Sequence, residues 1–171
     1  MRWRGRVFGI GALAVALGGC NDEGTATPPR ETTCGSGALT ASAGTGNPFE
    51  ALAPLVYPIQ VGLQGGFHID VSIRAQGALD PDHTDIELVL RQGEVARARH
   101  ITADWLLYVD PAGPWCDYPL ARLVLVDENN SLLPRERLPE VADTPLALDI
   151  TLASPLGGGT VTQMVTLRLP E

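Results

Sequence analysis

The chain has 171 residues, 44% hydrophobic but only 5% aromatic, with 19 Gly and 14 Pro. That length suits one domain with flanking segments, and a Gly/Pro share of about a fifth argues for a turn-rich β protein over a helical one. All basic residues are arginine, twelve against 20 acidic residues, for a net charge of −8. A surface of that sign repels nucleic acid and anionic headgroups, which excludes roles that depend on binding DNA or RNA.

The first six residues, Met-Arg-Trp-Arg-Gly-Arg, are a short positive segment, and residues 7–17 are an unbroken apolar run. Eleven helical residues rise only about 16 Å. They fall short of a hydrocarbon core of about 30 Å, so the run reads as an export signal rather than a permanent span. Leu17-Gly18-Gly19-Cys20 follows and resembles the lipobox of bacterial lipoproteins. The resemblance implies that residues 1–19 are removed and that Cys20 becomes the acylated first residue. Two or three acyl chains, at about 0.8 kcal/mol per buried methylene, hold such a protein on its membrane. In lipoproteins of two-membrane bacteria an Asp after the Cys retains the protein at the inner membrane; Asn21 in that place implies the outer one. With three of the twelve arginines in the signal, the remainder has nine against twenty acids, a charge of −11.

Residues 20–48 carry one Leu and show no apolar periodicity. They read as a lipidated flexible tether, because such a segment cannot bury enough surface to offset its ordering entropy. Cys34 lies inside it, and the only other cysteine of the exported part besides Cys20 is Cys116. In an oxidising compartment two such thiols are expected to pair, and a Cys34–Cys116 disulfide would pin the tether to the loop around Trp115.

Residues 49–171 are expected to be the folded domain. Residues 67–76 alternate, with Phe67, Ile69, Val71, Ile73 and Ala75 on one side and His68, Asp70, Ser72, Arg74 and Gln76 on the other. That is the pattern of a half-buried strand. Further strands are expected over 84–91, 94–102, 104–109, 120–126, 145–153 and 160–169. Asp127–Asn130 and Gly157–Gly159 mark turns, and residues 131–142 have room for one short helical turn. Seven or eight short strands with no helical period predict an antiparallel β-sandwich, with a small β-barrel as the alternative. The run Val61-Gly-Leu-Gln-Gly-Gly-Phe-His-Ile69, together with Leu123–Leu133, resembles myxobacterial-type lipoproteins with one immunoglobulin-like domain. The resemblance implies an Ig-like or fibronectin-III-like sandwich and brings no established activity.

Candidate chemistry is sparse. His68, Asp70 and Ser72 contain the residue types of a hydrolase, but successive members of one strand face stand about 7 Å apart. A nucleophile and its base need about 3 Å, so the expectation is a solvated sheet face and a protein that is not an enzyme. Asp80, Asp82, His83 and Asp85 form an acidic loop that is the best candidate for calcium, though its spacing lacks the Gly and closing Glu of the helix–loop–helix calcium motif. His68, His83 and His100 would make a transition-metal site only if folding gathers them. No resident cofactor is expected. Trp105 and Trp115 read as packing residues; Trp115 and Tyr118, with His68, are the binding candidates should they prove exposed together. The functional expectation is a lipid-anchored envelope protein whose domain binds a protein or glycan partner or serves as a spacer, with a metal-binding module as the alternative.

Overall fold

Strand formation follows from residue pairs that alternate at a period of two, and in the computed structural model, which describes residues 33–63 and 65–170, eleven strand segments result. They are β1 (Thr40–Thr45), β2 (Glu50–Ala51), β3 (Val56–Pro58), β4 (Gln60–Val61), β5 (Phe67–Gln76), β6 (Thr84–Gln92), β7 (Val95–Trp105), β8 (Tyr108–Val109), β9 (Cys116–Val124), β10 (Pro145–Ser154) and β11 (Gly157–Arg168). The excess over seven or eight comes from β2, β3, β4 and β8, which are two or three residues long and leave no periodicity to read. One short 3-10 helix, Arg135–Glu140, lies where a short turn is expected. The expected signal segment 1–19, Cys20 and the first part of the expected tether lie outside the described residues.

The protein is all-β, with two curled and mostly antiparallel sheets in an arrangement compatible with a β-sandwich. Sheet one runs β2-β1-β5-β9-β8, with β4 continuing the β1 side of β5; sheet two runs β3-β11-β10-β6-β7. The sole parallel pairing of named strands is β3 with β11, Val56–Pro58 against Thr166–Arg168. Between the sheets lies a single apolar cluster. Ile69, Val71 and Ile73 of β5 and Leu123 of β9 supply one layer; Ile86, Leu88 and Leu90 of β6, Leu148 and Ile150 of β10 and Leu167 of β11 supply the other. The inward side of β5 is the one read from the alternation.

Four readings are corrected. The tether does not extend to residue 48: β1 pairs with β5 from Thr40↔Gln76 to Gly44↔Ser72, and Cys34 and Ala43 are core residues. The alternation of Ala41 and Ala43 with Thr40, Ser42 and Gly44 is too weakly apolar to register as a strand. Residues 104–109 are not one strand. β7 runs on to Trp105, Asp104 sits at φ 51°, and the chain then crosses to sheet one, where only Tyr108 and Val109 pair, with Asp117 and Cys116. β9 begins at Cys116 rather than 120, and between Val71 and Ile73 the register slips by a bulge at Pro119-Leu120, with Leu120 at φ 56°. The hairpin turn is Pro155-Leu156, not the triple glycine, which lies in β11. A Cβ on Gly158 would stand 2.3 Å from the Leu152 carbonyl and one on Gly157 2.8 Å from that of Ala78, so the glycines allow close backbone approach instead of a turn.

Candidate functional site

The outer face of sheet one holds His68, Asp70, Ser72 and Arg74, and it is covered rather than solvated. The chain after β1 folds back over it: Ser72 Oγ donates to the Gly46 carbonyl at 2.7 Å and accepts from the Leu120 N–H at 3.4 Å. Arg74 is gripped by Asp117 through two bonds of 2.8 and 2.7 Å and by Asp110 at 2.6 Å, with its guanidinium 4.9 Å from the centre of the Phe49 ring. Asp70 accepts two bonds from Arg122, 3.0 and 3.2 Å. Asp70, Ser72 and Arg74 are thereby each held by hydrogen bonds within the fold. His68 is only 5% exposed. Burial, then the nearby Arg122 charge, hold its pKa down, with Asp70 pulling weakly the other way. Its Nε2 stands 3.9 Å from Asp70 Oδ1 and has no hydrogen-bond partner among the described residues.

The acidic loop is likewise self-contained. Asp80 Oδ1 accepts from the Asp82 N–H, Asp85 Oδ1 from the Asp104 N–H, and His83 Nδ1 meets Asp104 Oδ1 at 2.8 Å. The Asp104 carboxylate raises the His83 pKa. His100 makes a different set of contacts: its Nε2 lies 2.7 Å from Tyr118 Oη and 3.0 Å from Thr102 Oγ1. Burial lowers its pKa. The three histidines thus belong to three separate neighbourhoods, and among the described residues no group of three His, Cys, Asp or Glu side chains is placed to hold a metal ion.

The disulfide is formed. Cys34 and Cys116 are bonded at 2.09 Å with their Cα atoms 5.3 Å apart, and both are buried. Trp115 and Tyr118 do not share a surface. Tyr118 is 5% exposed and points inward to His100 and Thr102, while Trp115 is half-buried.

The exposed aromatic surface lies one crossover earlier, at Trp105 (46% exposed), Leu106 and Tyr108 (60%). With Leu107, Val109, Pro119 and Asn47 these residues line a shallow concavity of about 670 Å³, and exposed Leu120 follows Pro119. Trp105 is not a core residue: its ring meets the edge of Tyr118 at 6.0 Å and 87°, leaving the remainder outside. The signal that could have found it is the run Trp-Leu-Leu-Tyr-Val. Five successive apolar residues cannot all point inward from a strand, so some must surface. A second, smaller recess of about 330 Å³ is lined by Leu63, Phe67, His68, Arg122, Val124 and Leu132 at the opposite end of β5. Comparison with family models, curated proteins and solved structures gives no match.

Proposed function

We propose that the chain is a lipid-anchored cell-envelope protein, held at the outer membrane through Cys20, whose Ig-like domain is a non-catalytic binding module. The observation that carries this reading is the Cys34–Cys116 bond. A buried disulfide tying the N-terminal segment to the domain is suited to an oxidising compartment, which agrees with the export signal and lipobox at residues 1–20. The strand order supports the finer fold assignment. The N-terminal strand region is divided between the sheets, β1 against β5 and β3 parallel to the last strand β11, and two antiparallel sheets enclose a common core, as in Ig-like and fibronectin-III-like sandwiches. The exposed surface at Trp105, Leu106 and Tyr108 supports binding rather than mere spacing, since contiguous apolar surface on a small domain marks interaction.

The test is intact mass and N-terminal analysis of protein from the membrane fraction. The expected product starts at Cys20 with diacylglycerol on its sulfur, and Cys20→Ser shifts the protein to the soluble fraction with the Cys34–Cys116 bond retained. Recovery of a chain starting at Met1, or of Cys20 as a free thiol, would overturn the reading.

A further inference from the structure

We infer that the anchored domain seats on the membrane surface itself, with Trp105, Leu106 and Tyr108 reaching into the lipid interface. The inference rests on the anchoring reading and says what its exposed patch contacts.

The first support is where the chain enters the fold. Cys34 N donates to the Leu79 carbonyl and Leu107 N to the Pro81 carbonyl, so the chain from the N-terminal side and the Trp105–Val109 segment meet the same loop. The disulfide closes the circuit: Cys34 bonds Cys116, Cys116 pairs with Val109, and the adjacent Asp117 pairs with Tyr108. The patch therefore sits at the end of the sheet where the anchor segment arrives. Fourteen chain links separate Cys20 from Cys34. In any conformation they reach at most about 50 Å, which keeps this end of the domain close to the lipid.

The second support is chemistry. Residues 105–109 carry no charge, and Trp and Tyr each join an apolar ring to one polar group, the combination that favours the headgroup boundary. The carboxylates that flank the segment are paired: Asp104 with His83 and Asp110 with Arg74. No basic residue lies in the stretch from Ile101 to Leu120, so the patch suits a zwitterionic surface and has nothing with which to recruit anionic lipid.

The experiment uses the full-length mature lipoprotein in phosphatidylcholine vesicles with brominated acyl chains. In Trp115→Phe, Trp105 is the only tryptophan left after removal of residues 1–19. Its emission should shift to the blue and lose intensity in brominated relative to unbrominated vesicles, and Leu106→Asp should abolish both changes. Should Trp115→Phe fail to fold, the same difference is read between the wild type and Leu106→Asp. If mass analysis shows lipid on Cys20 and the protein floats with the vesicles, yet Trp105 is unquenched, the seating is wrong while the anchor stands. The seating also fails if the Trp105 emission shifts only when envelope glycan or protein is added. A protein without lipid that does not float would instead sink the anchoring reading.

Discussion

The two sheets meet along two seams, closed by different chemistry. At the first, β1 faces β11: the Ala43 N–H donates to Gln163 Oε1 at 2.7 Å, and Tyr57 Oη donates to the Gly44 carbonyl at 3.1 Å. These are neutral groups, and burial pushes the Tyr57 phenol pKa further up. At the second, β7 faces β9 through His100, Thr102 and Tyr118, with the Val126 N–H on the Arg97 carbonyl at 2.8 Å. One member of this seam is an imidazole. A seam of amides and phenol is indifferent to pH across the physiological range, whereas a seam containing a half-buried His is not. Closure of a sandwich is thus achieved twice, once by fixed dipoles and once by a group whose charge state must be correct.

The largest expected effect comes from removing the bond that joins the two seams, since Cys34 leads into β1 and Cys116 begins β9. The Cys34→Ala/Cys116→Ala protein, with its 82-residue loop opened, should lose about 4–5 kcal/mol of stability on the chain-entropy estimate. Urea titration of both forms measures it; a loss below about 1 kcal/mol would show that the bond follows folding without stabilising it. Next, Gln163→Ala strands the Ala43 N–H and should cost about 1–3 kcal/mol by the same titration, equally at pH 5.5 and 7.5. A cost that varied with pH would erase the distinction between the seams. At the second seam, Leu120→Gly should raise stability by about 1 kcal/mol, because a leucine held at φ 56° carries a left-handed backbone penalty that glycine escapes.

The smallest effect is the pH dependence itself. His100 has its folded pKa below the unfolded value near 6.5, so as pH falls below about 6.5 the unfolded chain takes up the proton first and stability declines. His68 contributes with the same sign. His83 has the opposite sign: its pKa is raised, so its contribution is present below about 6.5 and fades as pH climbs through the folded value. The melting temperature should therefore drop from pH 7.5 to 5.5, and His100→Gln should flatten the drop. An NMR titration placing His100 above His83 would refute the assignment of the sensitive seam.

Long strands with large inward residues were legible before the fold was known. β5, β6 and β10 place Ile, Leu and Val at every second position, and burial on both the expected face and its layer partner follows from that alone. β1 was not legible, because alanine alternating with serine and threonine gives little contrast, and the cover on its outer side depends on glycine at position 44 letting the Phe49 ring close to 2.6 Å from where a Cβ would stand. The burial of His68 and Ser72 on the outer face depends on chain segments far away in sequence, such as Gly46 and Arg122, which no local pattern encodes. The disulfide needed only a count of cysteines. For the run Trp105–Val109 the sequence shows that some apolar side chains must surface, but that Trp105 and Tyr108 are the rings turned outward is set by the crossover between the sheets.

The disulfide has a mechanical consequence. A pull on the segment before Cys34 would, without it, strip β1 from β5 one hydrogen bond at a time, the easiest way to open a sheet. With Cys34 bonded to Cys116, tension passes directly into β9, flanked by β5 on one side, and β1 is bypassed. β3, which follows β2 in the chain but lies in the other sheet, pairs parallel to β11 and would be loaded by sliding rather than peeling. A load applied to the chain ahead of Cys34 is, in this arrangement, borne by a covalent strain relief placed where that segment joins the domain.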